Sequence, residues 1–128
     1  MKARSFDPRA GVVHVQVRLT GPGGEGIFTF ALDTGATRSM LSWEAALQLG
    51  CAPGSAAQRV EIVTGSGVEY CPEVRVGLAE ALGVSRTGFP MLCHNLPPQA
   101  KLQGLLGLDF LEGRVLTADF RKGRISLK

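Results

Sequence analysis

Hydrophobic and polar residues alternate along several short segments of the chain, a pattern typical of strands with one buried face. In residues 13–19 the apolar side chains occupy every second position, and His14 falls among the polar residues on the exposed side. Comparable apolar runs predict further strands at residues 27–30, 60–63, 68–71, 74–78, 89–93, 105–107, 114–120 and 125–127. The pattern therefore predicts a mainly β fold, in which residues 79–101 are the least regular part.

A short helix is predicted after the second strand-like segment. Ser42 is a good N-cap for a helix over residues 43–49, which Gly50 would end. We expect this helix to bury Trp43 or Leu47 against the sheet and to have a structural role.

Glycines lie at several predicted turns and at the ends of the predicted helices. Residues 21–26 match the Gly-x-Gly-x-x-Gly pattern of dinucleotide-binding proteins, but that pattern needs a following helix whose amides hold the pyrophosphate. Because the strand of residues 27–30 follows instead, we interpret these glycines as a hairpin turn. Gly113 ends a second short helix, predicted over residues 108–111.

A second glycine-rich turn, Thr64-Gly65-Ser66-Gly67, joins the strands of residues 60–63 and 68–71. A hairpin with such small side chains at its tip suits either a plain turn or a flap that closes over a substrate. Pro72 follows this hairpin. Because proline cannot donate a hydrogen bond to a β-ladder, we expect Pro72 to break the strand or to lie at a sheet edge.

Length and composition fit a single globular domain. The chain has 128 residues, 45% of them hydrophobic, and its 17 glycines and seven prolines favour a turn-rich β protein. We divide it into a polar leader, residues 1–11, and one domain, residues 12–128.

The net charge of +3 is scattered, with its densest group at residues 121–124, so we expect no nucleic-acid partner. No segment resembles a signal peptide or a membrane span, which predicts a cytoplasmic protein with no membrane partner.

The three cysteines, Cys51, Cys71 and Cys93, are odd in number and widely spaced, which disfavours a disulfide framework. Together with His94 they could ligate zinc, although no two of them form a Cys-x-x-Cys pair. We interpret them as free thiols and predict no metal site. A zinc-dependent hydrolase that uses Cys71, Cys93 and His94 is the minor alternative.

The most informative residue is an aspartate that ends an apolar strand. Asp33 follows Phe30-Ala31-Leu32 and precedes Thr34 and Gly35, so an acid lies where the backbone must turn sharply. The Thr34 hydroxyl can lock such a loop by hydrogen bonding. An aspartate beside a glycine is also a common turn residue, so the tripeptide alone leaves a purely structural role open.

Two segments together resemble the retropepsins, the retroviral type of aspartic protease, and especially their cellular and bacterial relatives. The first is Asp33-Thr34-Gly35-Ala36 with Ser39-Met40-Leu41 after it. The second is residues 104–111, in which an apolar strand reaches Gly107 and a short helix follows. The resemblance implies an all-β, single-lobe acid protease barrel with one or two short helices and a flap hairpin. It also implies a homodimer that needs no cofactor.

In this family the aspartate is catalytic, and the resemblance assigns that role to Asp33. Hydrolysis by carboxylates needs two of them sharing one proton around a water molecule, and the chain has one Asp-Thr-Gly, so the second must come from another copy. By the same resemblance Thr34 grips the partner's loop, Gly35 and Ala36 support the loop, and Gly107 packs beneath it. The implied flap residues are Thr64, Gly65, Ser66 and Gly67.

The resemblance implies an aspartic endopeptidase that hydrolyses peptide bonds in extended polypeptide. The alternative is a non-catalytic dimerisation or peptide-binding module that keeps the loop for structure, since a fold does not imply a function. Ala36 lacks the hydroxyl that other members place beside the aspartate, so we expect activity at mildly acidic to neutral pH. Thr37 and Arg38 stand where many retroviral enzymes have acidic residues that hold the substrate, so substrate preference does not carry over.

Overall fold

Strands dominate residues 3–128, the part of the chain that the structure, a computed structural model, describes. The side chain of Thr64 also lies outside the description. The strands are β1 (Arg4–Ser5), β2 (His14–Gly21), β3 (Gly24–Leu32), β4 (Met40–Leu41), β5 (Arg59–Thr64), β6 (Gly67–Ala81), β7 (Val84–Cys93), β8 (Gly104–Leu106), β9 (Leu116–Asp119) and β10 (Arg124–Leu127). The α-helices are α1 (Trp43–Gln48) and α2 (Leu108–Leu111), and 3-10 helices cover Pro53–Ser55 and Pro98–Ala100.

Six of these strands close into a barrel. They follow the order β2-β3-β8-β4-β7-β6, and β6 pairs with β2 to close the barrel. The seventh strand of this sheet, β5, pairs with residues 67–72 of β6. The β3–β8 pair is parallel and places Leu32 beside Leu106. Because parallel neighbours end at the same edge of a sheet, the residues that follow these two strands lie side by side.

A three-stranded antiparallel sheet, in the order β1-β10-β9, joins the two ends of the described chain. Arg4 and Ser5 of β1 lie within the predicted leader, and they pair with Ile125 and Arg124 of β10. Phe6 follows in the hydrophobic core. This part of the predicted leader therefore contacts the rest of the fold, while Met1 and Lys2 lie outside the described residues.

One continuous hydrophobic core joins the barrel, both α-helices and the three-stranded sheet. Alternation along β2 buries Val15, Val17 and Leu19, as the period of two predicts, and leaves His14 exposed. Among the largest fully buried side chains are Phe30, Phe110, Leu19, Leu41, Leu49, Met91, Leu92, Leu106, Ile125, Val17 and Val76. Within residues 3–128, no helix is long and apolar enough to cross a bilayer.

Most predicted strands and turns are confirmed. Residues 21–26 form the β2–β3 hairpin, which closes at the Gly21 and Gly24 pair. Residues 64–67 form the tip of the β5–β6 hairpin, and α2 has the predicted bounds. The strand predicted at residues 114–120 is shorter, Leu116–Asp119.

The predicted cap and one of the two predicted contacts of α1 are found. Ser42 caps the helix by accepting a hydrogen bond from the Ala45 amide at 3.2 Å, as expected. Of the two alternatives for the buried side chain, Trp43 packs against the core, whereas Leu47 is 62% exposed. The buried face is formed by Ala45 and Ala46, with Leu49 just past the end of the helix.

The predicted break at Pro72 is wrong, because β6 runs through Pro72 as one strand of 15 residues. The alternative prediction, an edge position, is confirmed, since Pro72 pairs with one strand only among the described residues. Pro72 lies where β6 changes partner: it pairs with Arg59 of β5, and the next residue, Glu73, pairs with Leu92 of β7. The missing N–H therefore falls between two ladders. Beyond this point β6 and β7 form a long hairpin, which accounts for much of the irregular segment of residues 79–101.

Candidate active site

Asp33 lies directly after β3, and backbone hydrogen bonds fix its position. Its amide donates to the Leu106 carbonyl of the parallel neighbour β8 at 2.9 Å, and its carbonyl accepts from the Ala36 amide at 3.1 Å. One carboxylate oxygen, Oδ1, accepts from the Gly35 amide at 2.9 Å. The side chain is partly exposed, so a substrate can reach it.

Gly107 lies beneath this loop. A Cβ at that position would lie 2.6 Å from the Ala36 carbonyl oxygen, which is closer than real Cβ atoms approach, and 3.0 Å from the Arg38 carbonyl oxygen, which is a tight contact. The next amide, that of Leu108, donates to the same Ala36 carbonyl at 2.9 Å. Only glycine leaves room for the loop to pack this closely on the end of β8.

A buried hydrogen-bond network ties the same loop to α2. The Asp109 carboxylate accepts from the Ser39 amide, at 3.0 Å to each oxygen, and from the Ser39 hydroxyl at 2.7 Å. The Ser39 hydroxyl oxygen in turn accepts from the Gly107 amide at 2.9 Å. Ser39 is completely buried, so these bonds are shielded from water.

Asp109 is not among the site residues predicted from the sequence, because it lies outside the one Asp-Thr-Gly loop. The available signal was its position two residues after Gly107, in the first turn of the predicted helix. The structure assigns Asp109 to the support of the loop through Ser39.

Arg38 adds an ionic contact to this support. Its Nη2 lies 2.7 Å from Oε2 of Glu73 on β6, and its Nε lies 3.6 Å from Oδ2 of Asp109. The loop that carries Asp33 is thus attached to β6 as well as to β8 and α2.

Comparison with known proteins now identifies the family. Residues 15–110 match a family model described as aspartyl protease, and this match includes both segments of the site. The chain belongs to the aspartyl protease family. A retropepsin-like aspartic protease from Rickettsia conorii has a similar crystal structure, with a TM-score of 0.73 and 18% sequence identity, over 98% of this chain and 89% of that one. This likeness confirms the predicted retropepsin-like fold. The comparison with curated proteins finds no match.

In this aspartyl protease the hairpin of residues 59–72, here named the flap hairpin, matches the predicted flap in form. Its two strands pair with each other from Thr64 and Gly67 at the tip to Arg59 and Pro72 at the root. Gly65, Ser66 and Gly67 are exposed, as are the apolar side chains of the strands, Val63, Val68 and Tyr70. The role of the tip residues in substrate binding stays a prediction.

The three cysteines take no part in the hydrogen bonds around Asp33 described above. Cys51, Cys71 and Cys93 are buried free thiols. Burial, and then the charge of Glu69, raises the pKa of Cys71, whose sulfur lies 3.8 Å from Nδ1 of His94. A raised thiol pKa disfavours the thiolate that zinc binds. Among residues 3–128, no group of three His, Cys, Asp or Glu side chains is placed to hold a metal ion.

A cavity of about 560 Å³ lies elsewhere on the aspartyl protease, between β1, β2 and the β6–β7 turn. Its floor includes Phe6, Val15 and Ile125, and Arg4 and Glu80 lie among its polar residues. The Asp33 loop does not line this cavity, so the chemistry and the cavity belong to different parts of the molecule.

Proposed function

We propose that the chain is an aspartic endopeptidase in which Asp33 activates a water molecule for attack on a peptide bond. The observation that carries this proposal is the placement of Asp33: a partly exposed carboxylate on a loop that is fixed by β8, α2 and β6, in a chain of the aspartyl protease family. Such fixation is what catalysis requires, because small displacements of a catalytic group greatly reduce the rate.

The mechanism requires a second carboxylate, which takes the role of acid while the first acts as base. Asp109 is the other carboxylate bound to this loop, but its oxygens accept hydrogen bonds from the amide and hydroxyl of buried Ser39. These bonds give Asp109 a role in supporting the loop, and we do not assign it the role of the second carboxylate. The second carboxylate in this proposal is Asp33 of a second copy, related by a two-fold axis. The Thr34 side chains would meet near that axis.

The proposed substrate is an extended polypeptide bound as an added strand. The flap hairpin presents a tip of small residues, Gly65 and Ser66, whose backbone can approach a substrate closely. We also propose a cytoplasmic location for the protein, as the sequence predicts.

A second candidate function follows from one hydrogen bond. The Gly35 amide donates to Oδ1 of Asp33, so the carboxylate also caps its own turn. This contact favours a non-catalytic peptide-binding or dimerisation module, in which Asp33 serves the loop alone.

The deciding experiment compares the wild type with Asp33→Asn, at high protein concentration, on a diverse peptide mixture from mildly acidic to neutral pH. Mass spectrometry then reports each cleavage. The matched control is Asp7→Asn, since Asp7 is an exposed turn residue whose Oδ1 accepts from the Arg9 amide. We expect cleavage by the wild type and the control, and none by Asp33→Asn. Equal cleavage by Asp33→Asn would reject the proposal, and no cleavage by any folded protein would favour the binding module.

A further inference from the structure

Arg38 connects two carboxylates that come from distant parts of the chain. Its guanidinium lies 2.7 Å from Glu73 and 3.6 Å from Asp109. The side chains of Arg38 and Glu73 are 27% and 18% exposed, so water and salt screen this pair less than a pair on the open surface.

Glu73 is the more informative partner. Asp109 is held by Ser39 whether or not Arg38 is present. Glu73 lies at the root of the flap hairpin, at the first position where β6 leaves β5 and pairs with β7. The Arg38–Glu73 ion pair therefore joins the loop that carries Asp33 to the root of the flap hairpin.

Beyond this root the strands of the flap hairpin pair only with each other within the described residues. A two-stranded hairpin has little stability of its own in water, so its direction relative to the barrel depends on side-chain contacts. These include Arg38–Glu73 at the root and the contact of Glu69 with His94, which follows β7, at 3.8 Å. We propose that Arg38 and Glu73 are positioning residues, whose ion pair holds the flap hairpin in the orientation that binds substrate beside Asp33. This inference rests on the proposed function.

The proposal predicts a specific kinetic effect. Glu73→Gln removes the charge and keeps the size, while Arg38 retains Asp109 as a partner. Flap contacts hold the substrate in the ground state and the transition state alike, so we expect KM to rise about three- to tenfold and kcat to stay within about twofold. Arg38→Gln and the double variant should raise KM to the same extent as Glu73→Gln, because each of the three removes the same ion pair. Arg38→Gln also loses the contact with Asp109, so any fall in kcat that it shows beyond that of Glu73→Gln reports that second contact. Arg38→Lys keeps the charge without the planar fork and should give an intermediate KM.

The matched control is Glu80→Gln. Glu80 lies on the same strand β6, and it forms an ion pair with Arg18 at 3.2 Å where β6 closes the barrel onto β2. Loss of that pair should leave KM unchanged, because it lies at the other end of the strand from the flap hairpin.

Hydrogen exchange gives a readout that does not need catalysis. In Glu73→Gln the amides of residues 59–71 should exchange several-fold faster than in the wild type, whereas those of β7 should not change. Glu80→Gln should show no such difference. If the wild type cleaves no peptide, the proposed function fails, but this comparison still tests the contact between loop and hairpin. Unchanged exchange in Glu73→Gln would overturn the inference, and so would a lowered kcat at unchanged KM, since the pair would then act on Asp33 itself.

Discussion

At the scale of single residues, the site divides into a part that is local in sequence and a part that is not. Asp33, Gly35 and Ala36 form one turn, which the residue types predicted, and the resemblance to the retropepsins gave its proposed role. Ser39 and Asp109 are separated by 70 positions, and no local pattern pairs a serine with a distant aspartate. The parallel β3–β8 pair brings them together. Side-chain networks of this kind depend on the finished fold, so the sequence alone could not assign Asp109.

Asp109→Asn tests this network. Asparagine presents an NH₂ group where the Ser39 amide and hydroxyl need acceptors, so we expect a loss of about 1–3 kcal/mol in the free energy of unfolding. A shift of the loop should also lower kcat about tenfold or more. The control is Asp119→Asn, in a turn where Oδ1 accepts from the amides of Arg121 and Lys122. It should keep both its stability and its kcat, because the amide oxygen of asparagine can still accept from the same two amides. Urea unfolding and peptide cleavage measure both effects, and an unchanged kcat in folded Asp109→Asn would contradict the assigned role.

Cys93 provides a pH-dependent prediction. Burial, followed by the nearby Cys51 and Cys71, raises the pKa of its thiol from 9.0 to about 11. At a pH between these two pKa values, the Cys93 thiol loses its proton in the unfolded chain and keeps it in the folded chain. The free energy of unfolding should therefore fall as pH rises through this window, by about 1.4 kcal/mol per pH unit at most.

The measurement is urea unfolding at about pH 8 and about pH 10.5. Between these two pH values the raised thiol pKa should lower the free energy of unfolding. Cys93→Ser should be less stable at both values but should lose less stability between them. The comparison between the wild type and Cys93→Ser uses the change in the free energy of unfolding from the lower to the higher pH, rather than its value at either pH. The same change in both proteins would show that Cys93 does not contribute.

At the scale of elements, hydrophobic alternation predicted where strands occur but not how far they extend. Residues 68–71 and 74–78 were predicted as separate strands, yet both belong to β6, because Pro72 is the last residue paired with β5 and the pairing with β7 begins at the next residue. For α1 the period of the helix was visible, but the buried face was not. Small alanines pack against the core there, and a rule that looks for large side chains selects Leu47 instead.

A matched pair of substitutions tests the buried face of α1. Leu49 is 1% exposed and Leu47 is 62% exposed, and the two lie within one turn. Leu49→Ala leaves a cavity in the core and should lower the free energy of unfolding by about 2–5 kcal/mol. Leu47→Ala should change it by less than about 0.5 kcal/mol. Equal losses in urea unfolding would mean that α1 presents another face to the core.

At the scale of the whole molecule, one chain forms a closed barrel but contributes only one of the two carboxylates that the proposed hydrolysis needs. The barrel closes through β2 and β6, so its core does not need a partner. The Asp33 loop lies outside this core and remains partly exposed, with one carboxylate proposed to be catalytic. Folding and activity should therefore respond differently to a second copy: a folded monomer is compatible with the core, whereas the proposed hydrolysis requires the dimer.

Subunit mixing separates these two requirements. Asp33→Asn leaves the core intact, so its subunits should exchange with those of the wild type and form mixed dimers that carry one carboxylate. At constant wild type, a threefold excess of Asp33→Asn should reduce cleavage to about a quarter, because random pairing leaves about that share of wild-type subunits with an intact partner. Both proteins are kept at high concentration, so that dissociation of a weak dimer does not imitate the effect. The same excess of Asp33→Asn carrying Leu49→Ala, if largely unfolded, should not inhibit. Cleavage that is unchanged by folded Asp33→Asn would mean that a single Asp33 is sufficient, and the second carboxylate would then have to come from the same chain.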